Sequence, residues 1–202
     1  EEQRVVIFLE PIALYPMRDL HSDKDGGWMC RYPDRSEVIR LGEVGTYGAG
    51  TDLAIVTFGN GYYLSRQAEE RLAADGVKAR VIDTRWLSPL PDDALVAAVK
   101  GAKRILIVDE TRHSGGVAEA LMALFAERTT VPLARITAED SFIATGPAYA
   151  ATMPSASRKP GKRSATCAKA SSAAASCPAL YSHCARRSSA MPAALVPAKF
   201  SS

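Results

Sequence analysis

Two adjacent carboxylates and an imidazole follow an apolar run in the middle of the chain. Asp109 and Glu110 come directly after the run 104–108, and His113 lies three residues further on. Acidic and imidazole groups at the carboxyl end of a strand are placed where α/β proteins carry out acid and base chemistry. Consecutive strand residues point to opposite faces, so one carboxylate can instead cap the loop or pair with Arg112. The pattern favours a structural or interface role for Glu110 and His113 over catalysis.

A short glycine-containing turn, Gly59-Asn60-Gly61, follows another apolar run and precedes a helical segment. The amides at a helix N-terminus attract small anions, because they lack intrahelical partners and lie at the positive end of the helix dipole. This turn lacks the third glycine and the downstream acid of a dinucleotide-binding fingerprint. We therefore predict a tight strand-to-helix turn, with a small anion as the alternative.

An arginine next to a large aromatic residue, Arg85-Trp86, stands at the end of a third apolar run. This combination is typical of the residues that anchor protein interfaces. The alternative is internal: Arg85 pairs with Asp83 or Glu110, and Trp86 packs under the following loop. The sequence leaves both interpretations open.

Short apolar runs alternate with helical segments across the centre of the chain, and this alternation predicts the elements that position these residues. Strands separated by helices imply right-handed crossovers and a mainly parallel sheet covered on both faces. We therefore predict an α/β fold in three layers. The predicted strands are 53–58, 79–83, 104–108 and 133–137, and the predicted helices are 64–74, 92–99 and 117–128.

The N-terminal part has a different character. Val5-Val6-Ile7-Phe8-Leu9 is a continuous, largely β-branched apolar run, which is typical of a strand buried on both faces. A buried strand needs neighbours, so we expect residues 1–15 to be the remnant of a preceding domain. Residues 16–51 are rich in turn signals and are predicted to connect two domains, with a short strand at 38–41.

The C-terminal part differs again. Beyond Asp140 the chain has eight Lys and Arg residues and no acidic residue, although the whole chain carries a formal charge of only +3. Residues 153–202 lack apolar periodicity, so we predict a disordered basic tail. The composition is also what a shifted reading frame in GC-rich coding sequence would produce. The tail has no block of consecutive charges and few aromatic residues, which makes nucleic-acid binding an unfavoured interpretation.

The spacing of the cysteines and the lengths of the apolar runs limit the possible cellular compartments of the protein. Cys30 lies alone, and Cys167, Cys177 and Cys184 are spaced unlike the ligands of a zinc site. No apolar run is long enough to cross a bilayer, and the N-terminus lacks the order of a signal peptide. We therefore expect a cytoplasmic protein with no membrane partner.

One stretch resembles a known family. In residues 81–91, Val-Ile-Asp-Thr-Arg-Trp-Leu-Ser-Pro-Leu-Pro, a strand ends in an Asp-x-Arg turn and runs through Ser-Pro-Leu into a helix. This element resembles the beta subunit of thiamine-diphosphate-dependent 2-oxo acid dehydrogenases. The strand that ends at Gly59, the pair Asp109-Glu110 and the run Gly115-Gly116-Val117-Ala118-Glu119 follow the same order. The resemblance implies a transketolase C-terminal-like domain at 52–152.

The resemblance extends upstream. Residues 6–15 resemble the last strand and exit of the pyrimidine-binding domain in this family, and residues 41–44 resemble the start of its C-terminal domain. The family holds thiamine diphosphate and magnesium between two subunits or domains that would precede this stretch. We therefore expect these cofactors in the complete enzyme and none on this chain alone, and the resemblance assigns no catalytic residue here.

The resemblance implies a function as part of an enzyme that oxidatively decarboxylates a 2-oxo acid, such as pyruvate or a branched-chain 2-oxo acid, and transfers the acyl group to lipoamide. The C-terminal domain serves oligomer assembly in this family and, in dehydrogenase complexes, docking onto the lipoyl acyltransferase core. The expected partners are the diphosphate- and pyrimidine-binding regions, in a homo- or hetero-oligomer, and we expect the isolated chain to be inactive. The alternatives are a two-carbon transferase of the transketolase type and a non-catalytic module that binds a partner or an anion.

Overall fold

A computed structural model describes residues 4–138 and residue 140. Eight helices and strands form the domain, preceded by one turn of 3-10 helix at Ile12–Leu14. In chain order they are β1 (Gly45–Tyr47), β2 (Leu53–Thr57), α1 (Asn60–Ala74), β3 (Ala79–Asp83), α2 (Asp92–Val99), β4 (Ile105–Arg112), α3 (Val117–Arg128) and β5 (Leu133–Ala138).

The five strands form one sheet in the order β1-β3-β2-β4-β5. The four strands β2, β3, β4 and β5 are parallel to one another. β1 pairs with β3 in the antiparallel direction. One apolar cluster joins α2 and α3 to one face of the sheet, and a second joins α1 to the other. The predicted α/β class, with three layers around a mainly parallel sheet, is therefore confirmed.

The alternation of side chains along the central strands produces the two clusters. On β2, Ile55 faces α1, whereas Ala54 and Val56 face α2 and α3, and all three are fully buried. Phe125 of α3 is the largest fully buried side chain of the described residues. Burying both faces requires apolar residues at consecutive positions, which explains why these strands appear in the sequence as continuous runs.

The first predicted strand is wrong. Residues 5–9 form no helix or strand, and Val5, Ile7 and Leu9 are 99%, 84% and 70% exposed. The run has the composition of a buried strand, but no strand of the described sheet pairs with it. Because strand conformation is stabilised by cross-strand pairing, composition alone does not produce a strand here.

The predicted strand at 38–41 is also wrong, since the strand of this region is β1 at Gly45–Tyr47. Val38 and Ile39 are exposed. Gly45, in contrast, is buried where the Arg85 side chain crosses it, and a Cβ there would lie 3.1 Å from the guanidinium. A side chain larger than glycine would require the Arg85 and Tyr47 side chains to shift, and the strand thus lies where the apolar pattern is weak.

Part of the predicted connection 16–51 is packed against α1. The Tyr63 hydroxyl donates to the carbonyl of Asp19 at 2.8 Å, and the Gln67 amide donates to the carbonyl of Leu20 at 2.6 Å. The Trp28 ring lies edge-on to the Tyr63 ring, with centroids 4.8 Å apart. Residues 18–28, which we call the docked loop, therefore belong structurally to the α/β domain. The division of the chain into domains stays a prediction.

Asp25 organises the docked loop. Its two carboxylate oxygens accept hydrogen bonds from the backbone amides of Leu20, His21, Ser22 and Gly27 at 2.7–2.9 Å. These bonds favour the charged form of the group and lower the pKa of Asp25. One carboxylate thus replaces the regular backbone pairing that the loop lacks.

The predicted tail at 153–202 lies outside the described residues. Among the residues that are described, no helix combines the length and apolar character needed to span a membrane.

Candidate functional site

The carboxyl ends of β2 and β4 define the candidate site. From β2 the chain passes through α1 to β3 on one side, and from β4 it passes through α3 to β5 on the other. Neighbouring parallel strands whose connections diverge leave a crevice between them, and α/β proteins commonly bind ligands there. The predicted turn 59–61 and the carboxylates of β4 both lie at this edge.

The two sides of the crevice are joined by a direct contact. The side-chain amide of Asn60, the first residue of α1, donates to Glu110 Oε2 at 3.0 Å. Gly59 precedes the helix with φ +55°, a conformation that favours glycine. A Cβ on Gly61 would lie 2.3 Å from Thr57 Oγ1, so the helix starts in close contact with β2. The predicted tight turn is present, and its Asn60 side chain contacts the Glu110 carboxylate of the same chain.

Asp109 and Glu110 are part of β4, which extends four residues beyond its predicted end. Asp109 points inward and is 3% exposed, whereas Glu110 is exposed. Asp109 accepts hydrogen bonds from the amides of Thr111 at 2.8 Å and Ala118 at 2.9 Å. The carboxylate thus caps the first turn of α3, in agreement with the structural alternative predicted for this pair.

Two further carboxylates bind amides just before α3. Glu119 Oε2 accepts from the amide of Gly115 at 2.9 Å. Asp140 accepts from the amide of Ser114 at 2.8 Å and from its hydroxyl at 2.5 Å. The two bonds from Ser114 lower the pKa of the Asp140 carboxyl. The chain's own acidic groups therefore already occupy the anion-attracting end of this helix.

His113 is directed away from Glu110. Its Nδ1 lies 3.1 Å from Thr137 Oγ1, and its Nε2 contacts the Arg135 guanidinium. A guanidinium can only donate, so Arg135 is the donor in its contact with Nε2. Both ring nitrogens are thus engaged with β5, and a role as a base toward Glu110 is not supported.

Arg85 and Trp86 lie at the carboxyl end of β3, on the far side of β2 from Glu110. Arg85 has φ +55°, and its guanidinium donates to the Tyr47 hydroxyl at 3.5 Å. Its amide donates to Asp83 Oδ1 at 3.3 Å, and the Trp86 indole donates to the carbonyl of Arg40 at 2.9 Å. These contacts are internal, but they differ from the predicted ones: the guanidinium bonds Tyr47 rather than Asp83 or Glu110, and Trp86 bonds a residue that precedes β1. An interface role stays a prediction.

Among the carboxyl groups whose pKa is shifted from the ordinary value, that of Asp83 is the least exposed to solvent. Burial disfavours its charged form and raises the pKa, although the amide and positive charge of Arg85 act in the opposite direction. Asp83 pairs in register with Gly45 and with Thr57. Its position at the junction of three strands explains the loss of solvent.

Of the predicted site residues, the structure brings only Asn60 and Glu110 together. His113 joins a second group with Arg135 and Thr137, and Arg85 with Trp86 forms a third. The partners of His113 were missed from the sequence, because β5 meets β4 only through long-range pairing. The alternation of side chains along a strand is the signal that could have placed Arg135 and Thr137 on one face of β5.

The α/β domain is of the transketolase C-terminal type. The family model for the transketolase C-terminal domain matches residues 42–158, which is more than half of the chain. The chain therefore belongs to this family, as the sequence resemblance predicted.

Among its relatives are dehydrogenase subunits. The chain is 31% identical to the pyruvate dehydrogenase E1 component subunit beta of Bacillus subtilis (strain 168), over 67% of this chain and 40% of that protein. It is 30% identical to the same subunit of Staphylococcus aureus (strain Mu50), with the same coverage. A split-gene transketolase, solved as an inactive beta4 tetramer, is 25% identical with a TM-score of 0.48, over 52% of this chain and 34% of that chain. The chain thus spans about two fifths of the curated relatives' length.

The starts of α1 and α3 at this edge do not fit the diphosphate of thiamine diphosphate. A diphosphate needs free donors, but Asp109, Glu119 and Asp140 bind the amides around the start of α3, and Glu110 faces the start of α1. Within residues 4–138 and 140, no three His, Cys, Asp or Glu side chains come together as a metal site. We derive no catalytic step through either group on this part of the chain.

Proposed function

We propose that this chain is part of a thiamine-diphosphate-dependent 2-oxo acid dehydrogenase, with pyruvate as the substrate class, and that its described part makes subunit contacts rather than catalysing the reaction. The dehydrogenase branch is supported by the similarity to pyruvate dehydrogenase E1 beta subunits. Thiamine diphosphate and magnesium would then be held by the diphosphate- and pyrimidine-binding regions. Through these subunit contacts, the chain would take part in the assembly of an oligomer.

The observation that carries the contact role is the exposed apolar segment at residues 5–9. Every side chain in it is apolar and at least 58% exposed. Contiguous apolar groups of this kind mark surfaces that other chains cover, because leaving them in water is unfavourable. Pro11 lies next to Gly59, with its Cγ 3.5 Å from the position of a Cβ there, so the segment ends close to the carboxyl edge of the sheet.

The carboxyl edge itself supports a contact role more than a catalytic one. Two of its carboxylates bind groups of the same chain, Glu110 with Asn60 and Asp109 with the start of α3. A catalytic site would instead direct such groups at a substrate. An anion-binding role for the 59–61 turn is less favoured, because the negative charge of Glu110 would repel the ligand.

The test combines the full chain with a partner chain that supplies the diphosphate- and pyrimidine-binding regions. We expect co-purification of the two chains, and calorimetric binding of thiamine diphosphate with magnesium by the mixture but not by this chain alone. Ile7→Asp places a charge among the exposed apolar side chains and should weaken co-purification. Ile39→Asp is the matched control, since Ile39 is also exposed, at 54%. Binding of the cofactor by the isolated chain would contradict the proposal.

A further inference from the structure

The amino edge of the sheet, where its parallel strands begin, carries a concentrated positive charge. This edge lies opposite the one that holds the 59–61 turn and Glu110. Basic side chains meet here because β3 and β4 begin and α2 ends at this edge. We call them the amino-edge patch: Lys78, Arg80, Lys100, Lys103 and Arg104. All of them are exposed except Arg80, which is half-buried.

Two polar groups hold the patch together. The Arg80 guanidinium donates to the carbonyl of Lys100 at 2.7 Å, which joins β3 to the end of α2. The Lys103 ammonium group donates to Asp52 Oδ1 at 2.7 Å, and the second oxygen of Asp52 accepts from the amide of Lys78 at 3.0 Å. One guanidinium and one carboxylate therefore bring residues of separate segments to the same edge.

The positive charge of the patch is largely unpaired within the chain. Among residues 4–138 and 140, Asp52 is the only carboxylate that bonds a patch side chain. The Lys100 ammonium and Arg104 guanidinium groups have neither an ion pair nor a hydrogen bond in this part of the chain. Residues 141–202 contain no Asp or Glu, so they supply no carboxylate either. The patch therefore keeps an attraction for acidic groups of another molecule.

The patch also differs in charge from the rest of this region. Of the 25 Lys and Arg residues, eight follow Asp140, so residues 1–140 hold 17 basic residues against 22 acidic ones. Five of these 17 lie in the patch, with one carboxylate among them. Segregated charge of this kind attracts and orients a partner of opposite sign. Because the remaining residues carry an acidic excess, they would repel the same partner and confine its contact to the patch.

The surroundings of the patch favour carboxylates over phosphates as its ligands. Helices α1 and α2 end at this edge, so they present carbonyl groups there rather than the free amides that bind phosphate. The patch contains no aromatic side chain on which a nucleic-acid base could stack. Asp52 shows how a carboxylate fits, with one bond from an ammonium group and one from a backbone amide.

We propose that the amino-edge patch is an interaction surface for an acidic polypeptide of another protein, whose Asp and Glu side chains pair with Lys100, Arg104 and their basic neighbours. This inference goes beyond the proposed function, because it uses the edge of the sheet opposite the one near residues 5–11. The contacts are exposed to solvent, so the affinity is modest and falls as the salt concentration rises.

Fluorescence anisotropy tests the position of this surface. The full chain is titrated into a fluorescein-labelled peptide in which glutamate alternates with serine, at about 0.1 M salt to screen distant charges. Arg104→Glu should weaken binding about fivefold, because it replaces an attraction by a repulsion. Arg35→Glu is the matched control, since Arg35 is also exposed, lies outside the patch and gives the same change in net charge. It should change the affinity by less than about twofold.

A second pair of variants avoids adding negative charge. Lys100→Gln is compared with Arg35→Gln, because glutamate at position 100 would also oppose the dipole at the end of α2. Circular dichroism checks that each variant is folded. Equal weakening by the patch and control variants would mean that binding follows net charge alone. Unchanged affinity in the patch variants would locate binding elsewhere, and either result would overturn the proposal.

Competition tests the class of ligand. The unlabelled glutamate peptide should displace the labelled one at a lower concentration of negative charge than inorganic triphosphate requires, and the same peptide with glutamine in place of glutamate should not displace it. Tighter competition by triphosphate would indicate a phosphate site and contradict the acidic polypeptide as partner. Displacement by the glutamine peptide would show that charge is not needed, which would also contradict the proposal.

Discussion

Two runs of similar composition behave in opposite ways in this molecule. Residues 5–9 and β2 at Leu53–Thr57 are both short, continuous and rich in β-branched side chains. β2 lies between β3 and β4, and Ala54, Ile55 and Val56 are fully buried, whereas residues 5–9 form no strand and are exposed. The difference lies in the neighbours rather than in the residues. β2 has a partner strand on each side and a helix layer over each face.

The comparison shows what an apolar run does and does not specify. Apolar content sets how much free energy burial can release, but burial requires surfaces that other elements provide. Without them the same residues form a surface on which a partner can bind. Each of the following predictions measures this contrast with a matched pair of changes.

The largest effect is expected for the two phenylalanines. Phe125→Ala removes a fully buried ring between α3 and the sheet, whereas Phe8→Ala removes a ring that is 79% exposed. The first change should lower the free energy of unfolding by about 3–5 kcal/mol, and the second should change it by no more than about 0.5 kcal/mol. Urea unfolding followed by circular dichroism measures both. Similar losses in the two variants would mean that residues 5–9 are packed in solution.

A smaller effect is expected for two carboxylates that both bind backbone amides. Asp109→Ala leaves the buried amide of Ala118 in α3 without its acceptor and should reduce stability by about 1–3 kcal/mol. Asp25→Ala removes the acceptor of the docked loop, whose amides then bind water, so the loop is released while global unfolding is little changed. Hydrogen exchange separates the outcomes. Asp25→Ala should raise exchange at 20–27 alone, and faster exchange throughout β2 would contradict this.

The smallest effect is a pH dependence of the docked loop. The loop amides lower the folded pKa of Asp25, so the carboxylate stabilises the loop fully above its unfolded pKa and loses this effect as pH falls through the lowered folded value. Trp28 contacts Tyr62 and Tyr63, and its emission reports docking. In a Trp86→Phe background, we expect the Trp28 emission to stay unchanged as the pH falls below the ordinary pKa range of aspartate. A transition near pH 4 would contradict the lowered value.

The sequence was sufficient for the elements with local signals. β3, α2 and α3 begin and end at the predicted residues, because regular apolar spacing and turn residues mark both of their ends. β1 was missed, since its three residues include a glycine and its partner β3 lies beyond β2 in the chain. The start of α1 at Asn60 was missed as well, because the turn glycines are also the first residues of the helix.

The candidate site was less accessible from the sequence. Both the 59–61 turn and the β4 carboxylates follow strands of a parallel sheet, so their position at one edge could have been inferred from the sequence, although no such inference was made. The partner of each side chain did not follow, because it depends on how far β4 continues and on which face each residue takes. The alternation within β4 separates buried Asp109 from exposed Glu110, and a bulge before Arg112 then directs His113 toward β5.

The shortness of β1 has a consequence for solubility. β1 covers the outer edge of β3 from Gly45 opposite Asp83 to Tyr47 opposite Val81, and the chain then turns at Gly48. At Gly50 a Cβ would lie 2.3 Å from the backbone of Lys78, so the chain crosses directly over the start of β3. A long, flat edge invites other chains to add strands and aggregate. On the β3 side of the sheet, this brief antiparallel cover therefore leaves little ladder for another chain to extend.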